Sequence, residues 1–246
     1  MTLYIDLGNS NLKIGYIKDK KMKINTISTS FDKKEIENIL LWIKKDLKEE
    51  KIEKALISSV NNEKNPLLLS CLNKEKTNVQ FINFASFTKQ QLTAKKIKNT
   101  AEVGSDILLN AFYVAQNYNS AIVVSLGTAT VISKILNKNI EGVTIMPGIE
   151  LSLKSLVDNA SMIEDFKLVA PKSELGLTTQ NAISSGILNG SMYAIEGFLK
   201  EINKEKLAVI FTGGNSQYLK KTIEKYSSVD DMVIKALHLW DQQKIV

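Results

Sequence analysis

The 246-residue chain contains no arginine. All 32 of its basic side chains are therefore lysines, and no bidentate guanidinium fork is at hand for a carboxylate or a phosphate. There is one cysteine, Cys71, which excludes an internal disulfide and a cysteine-rich metal centre. Its apolar neighbours, Leu67 to Leu69 and Leu72, are those of a buried, inert thiol. There is one histidine, His238, with no second histidine or cysteine near it, so a structural role is expected rather than metal ligation. No apolar run approaches the roughly 20 residues that span a bilayer. The start runs straight into a strand-like stretch, without the serial segments of a secretory leader, and a cytoplasmic setting is expected.

What is present is an ordinary globular composition, 44% hydrophobic and 24% charged, with ample material for a core. The net charge of +6 favours anionic ligands. The lysines are interleaved with Glu and Asp, however, which describes a solvated surface, and nucleic acid is not an expected partner.

The chain is organised around its first stretch, residues 3–17. Apolar Leu3 to Ile5 run through Asp6-Leu7 into the polar turn Gly8-Asn9-Ser10, and a second apolar strand follows. Such a turn offers backbone N–H groups and short polar side chains to an anion. A carboxylate beside a phosphate cradle repels the phosphate unless a cation lies between them, so Asp6 suggests Mg²⁺ and a nucleotide. A plain hairpin with Asp6 as a turn residue is the competing reading. A second copy of the layout favours the first reading. Residues 122–134 again give a strand, Ser125-Leu126-Gly127, the small polar turn Thr128-Ala129-Thr130 and another strand. Two such turns predict two similar halves facing a shared cleft. Ser125 stands where the first copy has Asp6.

Periodicity fills in the rest. A third strand is expected over residues 22–28, and a helix follows Phe31-Asp32, with Ile36, Ile39, Leu40, Ile43 and Leu47 at helical spacing. A strand over 54–60, a short helix and a strand over 79–84 complete an α/β layer domain. Residues 85–100 read as an irregular excursion, and 102–117 as a helix opened by Gly104-Ser105-Asp106. The pattern then repeats: hairpin, a strand over 140–145, a helix over 150–159, a long helix from Thr179 to about Ile202, a strand over 207–211 and closing helices. The boundary is expected near 117–120, giving halves of 1–118 and 119–246.

Asp106 is either a first-turn helix residue or a general base for a substrate hydroxyl. Thr178 or Thr179 caps the long helix or bonds a substrate. Ala182, Gly186, Gly190, Ala194 and Gly197 recur along that helix, and glycine is costly there, so a close helix contact, such as one in a dimer, is expected. Thr212-Gly213-Gly214 ends a strand where backbone approaches something closely, either a nucleotide or a plain turn.

In this order the motifs resemble the type III pantothenate kinase family, of the acetate and sugar kinase/heat-shock chaperone/actin superfamily. Asp6 to Ser10 is similar to the D-x-G-N-T phosphate motif, with Ser10 for Thr. Gly104-Ser105-Asp106 is similar to G-x-D-R, and Gly127 to Thr130 to G-T-A-T. Glu141-Gly142 through Pro147-Gly148 is similar to G-G-x-I-x-P-G, and Thr212 to Gly214 to T-G-G. The resemblance implies two actin-like, ribonuclease H-like α/β domains, each a mixed sheet with flanking helices around an interdomain cleft. It implies ATP-dependent phosphorylation of pantothenate, the first step towards coenzyme A. Asp106 would be the catalytic base, with Gly104, Ser105 and Thr179 near the substrate. Asp6, Gly8, Asn9, Ser10, Lys13, Gly127, Thr128, Ala129, Thr130, Gly213 and Gly214 would hold ATP. Asp6 would orient hydrated Mg²⁺, Ser125 would lie at a monovalent cation (K⁺ or NH₄⁺), and the protein would be a homodimer.

The chain departs from the pattern at Ser125 and Ser133, where the family has acidic residues, and at Ile107 and Leu177, where it has arginine. Lys96 and Lys98 are candidates to supply the lost positive charge. The same departures leave open a non-catalytic relative that binds a ligand or a protein. A kinase for a hydroxylated substrate lacking a carboxylate is a third reading.

Overall fold

The computed structural model describes residues 1–48, 51–160 and 167–243. The chain forms two compact units. The first comprises Met1–Thr93, Lys98–Tyr113 and the C-terminal segment from Met232; the second comprises Ala94–Ile97 and Val114–Asp231.

The first unit is built on a five-stranded sheet. Strands β1 (Thr2–Leu7), β2 (Asn11–Lys18) and β3 (Lys21–Ser28) form an antiparallel meander. Between β2 and β3, Asp19 and Lys20 both take positive φ (48° and 60°), the backbone twist that a two-residue hairpin requires. On the other side of β1, β4 (Lys54–Ser59) and β5 (Asn78–Phe81) run parallel to it, so the order is β3-β2-β1-β4-β5. Alternation sends Leu3, Ile5, Leu7, Leu12, Ile14, Ala55 and Ile57 to one face. There they meet Ile36, Leu40 and Ile43 of α1 (Lys33–Leu47) and Leu68, Cys71 and Leu72 of α2 (Asn65–Lys74). Burying each large apolar side chain contributes about 1.5–3 kcal/mol. Helix α1 starts in a reciprocal capping box: Glu35 N–H donates to Asp32, and Asp32 N–H donates to Glu35, both at 2.8 Å. The expected strand over 79–84 is shorter, because residues Phe84–Ser86 turn into a 3₁₀ helix capped by Asn83.

Helix α3 (Ser105–Asn117) follows, and the boundary between the units falls within it. In the second unit, β6 (Ala121–Leu126), β7 (Ala129–Leu136) and β8 (Asn139–Pro147) repeat the antiparallel meander, and β9 (Val209–Thr212) and β10 (Ser227–Ser228) lie parallel beyond β6. The order, β8-β7-β6-β9-β10, reproduces the first sheet strand for strand. Ile122, Val124, Leu126, Ile132 and Phe211 form one face. It packs on Ile149 of α4 (Ile149–Asn159) and on Leu188, Met192, Ile195 and Leu199 of a long helical segment.

That segment is the expected long helix with an interruption. It consists of α5 (Thr179–Ser184), a π-helical stretch (Ser185–Asn189) and α6 (Gly190–Ile202). Ser184 Oγ accepts from Val169 N–H at 3.1 Å, and Ser185 Oγ donates to the Glu174 carbonyl at 2.7 Å. The wider turn thus sits where the preceding loop is tied to the helix. After a 3₁₀ turn (Gly214–Leu219) and α7 (Lys220–Ile223), the chain ends in α8 (Met232–Gln243).

The two units differ from halves of 1–118 and 119–246 in two places. Residues 94–97 belong to the second unit, where Lys95 N–H donates to Asn139 at 2.9 Å and Lys96 pairs with Glu141. Helix α8 belongs to the first, packed on the face of β1, β2 and β4 that α1 and α2 leave open. Its docking explains Gly15, where a Cβ would stand 2.5 Å from Ile234. It also gives His238 its structural role: Nδ1 lies 3.0 Å from the Tyr4 hydroxyl, which donates to Asp241 at 3.2 Å, and Lys54 pairs with Asp241. Among the described residues no helix is long and apolar enough to cross a membrane.

Candidate active site

The first turn lies between β1 and β2. Gly8 N–H donates to the Asn11 carbonyl at 3.0 Å. The carbonyls of the turn are all engaged: Gly8 O by Asn61 Nδ2 (3.5 Å), Asn9 O by the Thr29 hydroxyl (2.6 Å) and Ser10 O by Thr29 N–H (2.9 Å). The oxygen dipoles that would repel an anion are thereby turned into the protein, while Asn9 and Ser10 are exposed. Gly8 is not at positive φ. Its constraint is proximity, since a Cβ there would lie 3.3 Å from the Asn11 carbonyl. Asp6 stands opposite Lys13 in the β1–β2 register and beside Ser58 in the β1–β4 register.

Ser58 leads to the other carboxylate. Its hydroxyl lies 2.9 Å from that of Ser105, and the Ser105 hydroxyl donates to the Ser59 carbonyl at 3.1 Å. These bonds fasten the N-terminus of α3, and so Asp106, to the end of the strand adjoining Asp6. Asp106 accepts from Ile107 N–H at 2.9 Å. Burial pushes its carboxyl above the usual carboxylate range, and the backbone N–H groups of Ile107 and of Asp106 itself only partly offset this. Gly104 makes room for it: a Cβ there would stand 2.6 Å from Asp106 Oδ1. Ile107 places no charge beside Asp106.

The second turn, between β6 and β7, is one residue shorter. Leu126 pairs with Thr130 across it, whereas Leu7 pairs with Leu12 across the first. Gly127 N–H donates to the Ala129 carbonyl at 3.0 Å. The carbonyls are again engaged, Thr128 O by Gly148 N–H and Gly127 O by Asn215 Nδ2, each at 3.0 Å. A Cβ on Gly148 would collide with this turn, 2.5 Å from Thr128 O. Gly213 has φ 97° and ψ 153°, and a Cβ there would lie 2.7 Å from the Leu126 carbonyl carbon. Thus Gly127 to Thr130, Pro147-Gly148 and Thr212 to Gly214 meet around one loop, joined by Asn215, which sequence reasoning missed. Its only signal was an amide side chain directly after a glycine pair. Thr130 is buried within this assembly. Ser125 is flanked in register by Val131 and Thr212, a neutral setting, and Ser133 is buried between Val123 and Val143.

Thr178 is the N-cap of α5, accepting from Asn181 N–H at 3.2 Å, and Thr179 is exposed in the first helical turn. Cβ atoms built on Gly186, Gly190 and Gly197 meet nothing within 4 Å. The close contact expected of this stripe is therefore not supplied by the described residues of the chain. Lys96 is engaged by Glu141.

Two mixed sheets of identical strand order, each with a glycine turn after its first strand, define a duplicated actin-like α/β protein. Solved structures share the fold. A Baf family protein from Campylobacter jejuni, described as a transcriptional activator, superposes with a TM-score of 0.63 at 19% identity, over 99% of this chain and 98% of that one. The activator of the 2-hydroxyisocaproyl-CoA dehydratase from Clostridium difficile, with bound ADPNP, gives 0.56 at 14% identity over 100% and 97%. The family model described as Type III pantothenate kinase matches residues 2–201, and the chain belongs to that family. The type III pantothenate kinase of Mycoplasma mobile is 36% identical over 96% of this chain and 97% of its own length. That of Sulfurihydrogenibium is 31% identical over 98% and 100%.

Proposed function

We propose that the chain transfers the γ-phosphoryl group of MgATP to the primary hydroxyl of pantothenate, giving 4′-phosphopantothenate and ADP, the first step of coenzyme A synthesis. Beyond family membership, one observation carries the assignment: a half-buried Asp106 with a raised carboxyl pKa, at the start of α3, which is fastened to the strand adjoining Asp6. Phosphoryl transfer requires little covalent chemistry of the protein beyond positioning, charge stabilisation and a proton acceptor. Asp106 takes the hydroxyl proton as that oxygen attacks the γ-phosphorus, and a raised pKa makes it a stronger base than an exposed carboxylate. Gly104 and Thr179 face the substrate in this assignment, and Ser105, whose hydroxyl is engaged by Ser58 and the Ser59 carbonyl, adjoins it through its backbone.

The two turns, with Lys13, Gly213 and Gly214, are assigned to ATP. Mg²⁺ enters with the nucleotide. Among the described residues no three acidic, histidine or cysteine side chains cluster as a metal cage. A lone Asp6 at an anion turn fits an ion that keeps most of its water and its phosphate oxygens. For a monovalent cation, Ser125 and Thr212 offer only neutral hydroxyls side by side, and no step is assigned to it. We assign the open glycine stripe of α5 and α6 to contact with a second copy of the chain, which gives a homodimer. A cytoplasmic location follows from the reaction.

Incubation with MgATP, K⁺ and pantothenate is expected to yield phosphopantothenate at a rate about 10²–10⁴ times that of Asp106→Asn. Product no greater than the variant's, across several monovalent cations, would overturn the assignment.

A further inference from the structure

We propose that Ser58 is a positioning residue for the phosphoryl transfer, holding the start of α3, through Ser105, in register with the strand end that carries Asp6. The proposal rests on the kinase reading above. Each serine hydroxyl has one proton to donate. Ser105 gives its proton to the Ser59 carbonyl, so the 2.9 Å contact between the two hydroxyls must be donated by Ser58. The chain of bonds therefore runs one way, from Ser58 O–H to Ser105 Oγ and from Ser105 O–H to Ser59 C=O. Both side chains are buried, Ser58 at 0% and Ser105 at 8% exposure. Leaving one partner of such a pair unmatched costs about 1–3 kcal/mol.

What this link fixes is not fixed by Asp106 itself. The bond from Ile107 N–H lies within α3, so it sets the carboxylate relative to the helix but not the helix relative to the sheet. Ser58 is the ladder partner of Asp6, on a strand about 4.8 Å away. Ser105 directly precedes Asp106. Two hydroxyls thus join the strand beside one candidate site carboxylate to the residue next to the other. Misplacement of a reacting group by about 1 Å can cost about 10²-fold in rate.

The test is steady-state kinetics and thermal melting of the full chain, wild type against Ser58→Ala, Ser58→Thr, Ser58→Val and Asp106→Asn. Thr and Val have the same shape and differ in the hydroxyl, so their comparison isolates the bond from the space it fills, even if Ser58→Ala fails to fold. Without the hydroxyl, kcat is expected to fall about 10-fold or more, with KM for ATP within about twofold of wild type. The acid limb of the kcat/KM profile for pantothenate should move to lower pH, as water reaches Asp106 and its burial relaxes. Ser58→Thr should restore both. Wild-type kcat and an unmoved acid limb in Ser58→Val or Ser58→Ala, with Asp106→Asn inactive, would overturn the positioning role and leave the kinase reading standing. So would equal losses in Thr and Val with no change in the limb. Full turnover by Asp106→Asn would instead remove the base assignment on which the proposal depends.

Discussion

Gly213→Ala should damage the second turn far more than Gly214→Ala one residue later. Gly213 lies at φ 97°, ψ 153°, a region essentially restricted to glycine, where another residue costs about 1–3 kcal/mol. A methyl group there would also stand 2.7 Å from the Leu126 carbonyl carbon and 2.8 Å from its nitrogen. Those atoms are backbone at the end of β6, where Leu126 pairs with Thr130 across the turn, so they cannot swing aside as a side chain would. Relieving the overlap adds about 1–3 kcal/mol. The total is about 2–6 kcal/mol, which at about 2–4 °C per kcal/mol lowers the melting temperature by about 5–20 °C. Gly214 has no positive φ, and a Cβ built on it meets nothing within 4 Å. Alanine there should change stability by about 0.5 kcal/mol or less. Calorimetric melting of both variants reads the difference, and titration with MgATP shows whether the surviving folded protein keeps the loop. Variants melting within a degree or two of each other would refute the account of this glycine.

Gly104→Ala should leave the melting temperature within a few degrees of wild type while cutting kcat, because its Cβ displaces the Asp106 carboxylate rather than backbone; an unchanged kcat would count against that geometry. Asp106→Asn should melt higher than wild type at pH 8 even as its expected turnover falls. Burial raises the Asp106 pKa, so the fold favours the neutral form, and its ionised form is a liability that is absent below the unfolded pKa of about 3.9. The gap should accordingly close towards pH 4 in parallel melts. Burial lowers the His238 pKa, with Asp241 opposing, so its contribution is present above about pH 6.5 and is lost as pH falls through the folded value. His238→Asn, which does not titrate, should flatten the fall in melting temperature below about pH 6.5.

The sheets were legible because their information is local. Alternation marked the strands, Asp32 marked the start of α1, and the repeated stretch around Gly8 and Gly127 announced the repeated topology. Helix α8 was not. Its amphipathic pattern says that it packs, but each sheet of order 3-2-1-4-5 is complete without it. Only the pairing of Tyr4 with His238 and Asp241, distant in sequence, shows which face it covers. The π-helical stretch at Ser185–Asn189 was equally hidden, since five residues are too few to separate its period from that of an α-helix. At the candidate site, glycines and carboxylates were visible as residue types, but the reasons differ from place to place. Gly8 and Gly148 answer to crowding by backbone, and Gly213 to crowding and φ together. Ser58 was legible only as one residue of the strand over 54–60. Its part emerges only when α3 arrives against it.

The two turns reach one electrostatic end by different means. In the first, β3 runs one residue past its end and Thr29 takes two carbonyls. In the second, a backbone N–H from Gly148 and the amide of Asn215 do so, from separate segments. Both therefore favour an anion on the exposed side. Their charged surroundings are not equivalent. The first has Asp6 with Lys13 opposite and Ser58 beside it, whereas the second has Ser125 between Val131 and Thr212. A turn flanked only by neutral groups can hold phosphate oxygens but cannot balance a divalent cation. In the proposed assignment, with Ser125 neutral, the compensation given to the metal of MgATP falls on Asp6. The same assignment leaves Asp106 free to serve as the base, because a carboxylate that served the metal would be held ionised and lose the raised pKa that favours proton abstraction.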